Sequence, residues 1–198
     1  MKVRELKVAG ATEFTPEVYQ DGRGSFASPF VASAFATAVG HPLFPLAQMS
    51  HSTSRRGTLR GIHYTRTPPG MAKYVYCPSG RALDFVVDLR LGSPTFGRWD
   101  ATELDGDSCR AVYVPAGVGH AFVALQDGTL MSYLMSRGYD PDQELAVAAL
   151  DRTLALPVPD GLPILLSDRD RTAPTLAEAR FRGDLPGYRA SIEAEGTL

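Results

Sequence analysis

The chain is poor in lysine, cysteine, tryptophan and long apolar runs, and each shortage closes off a class of protein. A formal net charge of −2 over 198 residues argues against the clustered basic surface that non-specific nucleic-acid binding requires. No apolar run approaches the roughly 20 residues of a membrane-spanning helix. The first ten residues, MKVRELKVAG, alternate charged and apolar side chains, which is not the pattern of a signal peptide. Two cysteines, Cys77 and Cys109, are too few for a disulfide scaffold and lack metal-pair spacing. They are expected to be reduced thiols of a cytoplasmic protein. Among the 20 basic residues only Lys2, Lys7 and Lys73 are lysines, so a lysine far from the terminus invites a chemical explanation.

What is present describes an ordinary globular chain, 44% hydrophobic and 21% charged. Its length fits one domain spanning 1–198 with room for a sizeable core. Turn signals recur at strand-length intervals up to about residue 150: QDGRG, SRRG, TPPG, PSG, LGSP, LDGD, PAGVG and QDG. Between them lie segments rich in β-branched and aromatic residues at 73–77, 83–89, 111–114, 120–125 and 130–135, all read as strands. Residues 31–39 read as one short helix. Near the C-terminus, Thr175 with Glu178 three residues later and Gly183 beyond marks another. The expected fold is all-β, a jelly-roll (cupin-like) β-sandwich with short C-terminal helices. The polar tail beyond Tyr188 is expected to be frayed.

Three stretches carry chemistry. In GTLRGIHY, residues 57–64, strand alternation puts Arg60, Ile62 and Tyr64 on one face and Leu59, Gly61 and His63 on the other. Gly61 beside His63 implies close approach of a ligand or another backbone. PAGVGH, residues 115–120, has the P-x-G-x-x-H form of half a cupin signature, a tight turn that points His120 inward. The H-x-H half is missing. A three-histidine metal site from His51, His63 and His120 remains an alternative, although metal sites favour close ligand pairs on one element. In SDRDRTAP, residues 167–174, Asp168 and Asp170 alternate with Arg169 and Arg171. Such a run is usually a solvated loop, but a carboxylate brought to a histidine from a distant loop fixes its tautomer and stabilises the imidazolium.

Taken in order, DGRGSF (21–26), Q-x-S-H-S from Gln48, RRGTLRGIHY (55–64), PPGMAKYVYC with Lys73, VVDLRLGSPTFGRW (86–99), PAGVGHAF, the Tyr133–Tyr139 region with Glu144, and LSDRD resemble the dTDP-4-dehydrorhamnose 3,5-epimerase family. The HSTS…GIHYT…PPG variant looks most like the branch that makes deoxysugars for antibiotics. The resemblance implies a jelly roll, a homodimer with exchanged N-terminal strands, no metal, no cofactor and a dTDP-linked 4-keto-6-deoxyhexose as substrate. It implies His63 as the base, Asp170 as its partner, Lys73 on the enolate oxygen and Tyr133 as the acid on the opposite face. Arg23, Gln48, Arg60, His120, Tyr139 and Arg169 would bind phosphates, sugar or thymine, with Phe26, Ser50 and Glu144 beside them. Departures from the family pattern are Ser28, Ser50, Thr65 and Leu156.

The chemistry suits these groups. Removing a proton beside a ketone creates an enolate, so a base must act while a cation meets the oxygen. A positioned acid or base contributes about 10²–10⁴-fold, and oxyanion stabilisation is usually the larger effect. Histidine titrates near working pH, and lysine is a compact point charge where arginine is a planar fork. Asp84, in an apolar strand, must be paired, and Lys73 or a tyrosine is its expected partner. Arg23 and Arg60 could grip a diphosphate bidentately. The expected activity is epimerisation at C5, or at C3 and C5. A 3,4-ketoisomerase, a metal-dependent cupin oxygenase and a non-catalytic sugar-binding jelly roll stand as alternatives.

Overall fold

Along Trp99–Asp105 (β9) half-exposed and buried residues alternate without a break, the pattern of a strand with one face on a core. The same logic organises the chain, which a computed structural model describes over residues 1–198. Two antiparallel sheets result. One has six strands in the order Lys2–Glu5 (β1), Thr12–Thr15 (β2), Ala111–Val114 (β10), Lys73–Ser79 (β7), Thr129–Met135 (β12) and Gln48–Ser54 (β5). The other has five, in the order Glu144–Ala146 (β13), Leu59–Thr65 (β6), Val118–Ala124 (β11), Arg81–Asp88 (β8) and β9. Val18–Asp21 (β3) and Gly24–Ala27 (β4) pair only with each other. The architecture is the expected jelly-roll sandwich.

Three apolar clusters explain which residues are buried. Between the sheets lie Val75, Cys77, Val112, Val114 and Met131 from one side and Ala82, Val86, Val118 and Phe122 from the other. The outer face of the five-stranded sheet, with Leu59, Phe85, Val87 and Val123, is covered by the chain beyond residue 146 through Val147, Leu154, Ala179 and Leu185. Leu156, one of the departures from the family pattern, packs there too. On the outer face of the six-stranded sheet, Phe14, Tyr74 and Tyr113 sit under Phe35 of the helix Ala32–Val39 (α1) and under Phe44. The Phe35 and Tyr113 rings meet edge-on at 5.0 Å. Strand β11 is buried at all seven positions because it has apolar cover on both faces. Its inward residues alternate Val118, His120, Phe122, so His120 brings a polar ring into the sandwich interior.

The C-terminal helices are Asp168–Arg171 (α2), Leu176–Arg182 (α3) and Tyr188–Glu195 (α4). Helix α3 starts in the capping box expected of Thr175 and Glu178 and ends at Gly183 with φ 74°. The tail beyond Tyr188 is not frayed, contrary to its polar composition. Tyr188, Ser191 and Glu195 recur on one side of α4: the Arg90 guanidinium lies 5.0 Å from the Tyr188 ring centroid, Ser191 is buried, and Glu195 accepts the Ala116 N–H at 2.8 Å. Helical spacing of polar but buried residues is invisible to an apolar-periodicity search.

Candidate active site

The site begins with a broken alternation in β6. Across β6 and β11, His63 faces His120 and Arg60 faces Phe122, three steps against two. The extra residue is a β-bulge, and it brings Arg60 and His63 to the same pocket, which corrects the strict alternation expected of GTLRGIHY. Gly61 is what permits it. Its φ is 105°, and a Cβ there would stand 2.5 Å from the His120 carbonyl oxygen and 2.8 Å from the Ala121 Cβ. The expected close approach at Gly61 is thus that of the neighbouring backbone.

His63 Nε2–H donates to Asp170 Oδ1 at 2.6 Å. Because a carboxylate only accepts, this bond assigns the proton to Nε2 and leaves the Nδ1 lone pair to act as a base. Asp170 arrives on α2, whose N-terminus is capped by Ser167 Oγ accepting the Asp170 N–H at 3.1 Å. Burial alone would raise the Asp170 carboxyl, but the His63 bond and charge, the Ser167 hydroxyl and the Gly61 N–H together hold it below the ordinary range. The second histidine is paired as well: His120 Nε2–H donates to Asp84 Oδ2 at 2.6 Å, while Asp84 Oδ1 is buried without a partner. Asp84 therefore orients His120 rather than Lys73 or a tyrosine, because both lie on the inner face of neighbouring strands in the same sheet.

A pocket of about 210 Å³ opens at this end of the sandwich, lined by Gln48, Ser50, Arg60, His63, Lys73, His120, Tyr133, Tyr139 and Glu144, all singled out from the sequence, together with Phe122 and Met135. Burial pushes the Lys73 ammonium below its ordinary range; the Glu144 charge acts against this and the Arg169 charge adds to it. Burial pushes the Tyr133 phenol up, so it stays protonated, and its hydroxyl lies 3.0 Å from Ser52 Oγ. Gln48 Nε2 donates to Ser50 Oγ at 2.9 Å and its Oε1 accepts the Tyr139 N–H at 2.8 Å. Arg60 Nε donates to Ser54 Oγ at 3.2 Å. The Thr65 hydroxyl donates to the Glu144 carboxylate.

Three expected contact residues are not at this pocket. Arg23 and Phe26 ride on the β3–β4 hairpin, where Arg23 pairs with Asp21 at 2.6 Å and Phe26 is 69% exposed. Arg169 does not line the pocket, although its charge reaches Lys73. His51 is exposed on β5, and no three His, Cys, Asp or Glu side chains converge as metal ligands. Ser52, Phe122 and Met135 were missed. Period two would have found them, since they follow Ser50, His120 and Tyr133 by two residues.

A base with a fixed tautomer, a half-buried cation and a protonated phenol on the walls of one pocket can move a proton at a carbon acid, which is the work of an isomerase, and specifically of an epimerase. The model of the dTDP-4-dehydrorhamnose 3,5-epimerase family matches residues 5–178. The chain is 48% identical over 190 residues to a dTDP-4-dehydro-6-deoxyglucose 3-epimerase of Streptomyces bikiniensis, covering 96% of each. It is 46% identical to a dTDP-4-dehydrorhamnose 3,5-epimerase of Mycobacterium tuberculosis, covering 100% of this chain and 98% of the other. The crystal structure of a 4-keto-6-deoxy sugar epimerase from the novobiocin biosynthetic gene cluster of Streptomyces spheroides superposes with TM-score 0.92 at 49% identity, over 96% of this chain and 95% of that one. The chain belongs to the dTDP-4-dehydrorhamnose 3,5-epimerase family.

Proposed function

We propose that the chain, acting as one catalytic unit, epimerises a dTDP-4-keto-6-deoxyhexose at C5, or at C3 and C5, through an enolate, in the making of a deoxysugar for an antibiotic. The observation that carries this reading is that His63, paired with Asp170, shares one pocket with Lys73. His63 Nδ1 takes the proton from the carbon beside the ketone, and Asp170 stabilises the imidazolium that forms. The C–H electron pair becomes the enolate, whose oxygen meets the Lys73 ammonium. Tyr133 then gives its proton to the opposite face, inverting the carbon; Tyr133 is reprotonated from solvent and the His63 imidazolium gives its proton up to solvent. Arg60, His120, Gln48, Ser50, Tyr139, Glu144 and Arg169 would hold the sugar nucleotide, with Asp84 behind His120. The free Cys77 and Cys109 thiols suit a cytoplasmic setting, and no helix is long and apolar enough to cross a membrane.

The β3–β4 hairpin has the form of an arm for a second copy. Strand β5 is an edge strand that bears Gln48 and Ser50, and a hairpin added to it in a homodimer would bring Arg23 and Phe26 to the partner's pocket. Mixing inactive Arg23→Ala with inactive His63→Ala would then restore about a quarter of wild-type activity, because one site in each mixed dimer is whole. No recovery after subunit exchange counts against the arm.

The main test is product NMR after incubation with the 4-keto-6-deoxyglucose nucleotide in deuterated buffer. Deuterium is expected at C5, or at C3 and C5, accompanied by inversion. Absence of label at both carbons overturns the reading. The relatives' names cover a 3-epimerase and a 3,5-epimerase, so the labelling pattern also decides how many carbons turn over.

A further inference from the structure

Lysine 73 is an expensive cation. Its burial disfavours the charged form, Arg169 adds a like charge, and Glu144 is the one carboxylate acting in its favour. Glu144 shares the pocket with Lys73, but it stands on β13, a three-residue strand at the edge of its sheet. Such a strand holds a side chain loosely unless something anchors it. The anchor is Thr65: it is the cross-strand partner of Glu144, it is buried, and its hydroxyl donates to the Glu144 carboxylate.

We infer that Thr65 and Glu144 are a positioning pair that keeps the Lys73 ammonium charged at working pH. The pair ensures that a cation is in place when negative charge develops on the substrate oxygen; this last step rests on the epimerase reading above, whereas the charge of Lys73 does not. The direction is definite. A lysine held below its ordinary range loses its proton as pH rises through the lowered value, so weakening Glu144 brings the loss to still lower pH.

The scarcity of lysine makes the measurement simple. With only Lys2, Lys7 and Lys73 to observe, selective ¹³Cε labelling gives three signals, and Lys73→Arg assigns the third. In Glu144→Gln the Lys73 midpoint is expected to fall by about one pH unit, the effect of removing a nearby opposite charge. Thr65→Val is expected to move it a smaller distance the same way, and Thr65→Ser, which keeps the hydroxyl, to leave it at the wild-type value. In turnover, the alkaline limb of kcat is expected to follow the NMR midpoint in Thr65→Val, with KM little changed. An unmoved midpoint in Glu144→Gln overturns the inference, and an unmoved midpoint in Thr65→Val removes Thr65 from it. Because the titration needs no substrate, failure of the epimerase reading would appear separately, as missing deuterium exchange in the wild type.

Discussion

His63 and His120 face one another across β6 and β11, and each gives its Nε2–H to a carboxylate at 2.6 Å. The supports behind the two bonds differ. The His63 side chain keeps 29% of its surface exposed, and Asp170 comes from a helical turn 107 residues along the chain, where Ser167 and the Gly61 N–H also favour its charged form. The His120 side chain is only 6% exposed. Asp84 sits in the adjacent strand, and its second oxygen has no partner. The first carboxylate has other groups that favour its charged form; the second has its histidine as sole hydrogen-bond partner. In the proposed reaction the first pair transfers the proton, whereas the other joins the inner face of the sheet to the pocket floor.

Substitutions can break this contrast. The largest effect is expected from His63→Ala, which should lower the rate of deuterium exchange by about 10²–10⁴-fold with the fold retained, as read by exchange NMR alongside circular dichroism. His120→Ala should act mainly on stability: stranding the buried Asp84 charge costs about 3–5 kcal/mol, measurable by urea denaturation. A loss of exchange in His120→Ala as large as that in His63→Ala, with stability unchanged, would erase the distinction. Asp84→Asn removes the charge together with the need to pair it, so a smaller loss of about 1–3 kcal/mol is expected.

Acid sharpens the comparison further. Asp170 titrates below the ordinary carboxyl range when folded, so it contributes stability above that range which is lost as pH falls through its lowered value. In Asp170→Asn this part of the acid sensitivity should disappear. The urea midpoint, followed from about pH 6 to about pH 3, should then fall less steeply than in the wild type. Asp88, also held low although burial opposes it, by Arg90, Ser93 and Thr95, should supply acid sensitivity common to both proteins. Identical slopes in the two would mean that the His63 bond adds nothing to folding.

Much of this arrangement can be read along the chain. Strand positions follow from turn residues and β-branched runs, and PAGVGH does turn His120 inward. The lone internal lysine lies in the pocket, and nine of the expected contacts line its walls. What escaped depends on how strands meet. Gly61 looks like a site for a ligand, but only the register with β11 shows that it makes room for a bulge. Asp84 is visibly in need of a partner, yet its apolar strand does not say which one. The face of α4 is polar and still buried, because Arg90 and the Ala116 N–H lie opposite it.

By itself the sequence determined the β-rich class and the candidate base and cation, because alternation, turn chemistry and side-chain acidity are local properties. Tertiary structure decided which histidine is reachable, which aspartate serves it, and that Arg60 and His63 share a wall. Those outcomes depend on one extra residue between two strands and on a helical turn folded back from 107 positions away. Only the packed sandwich brings such distant groups within hydrogen-bonding range.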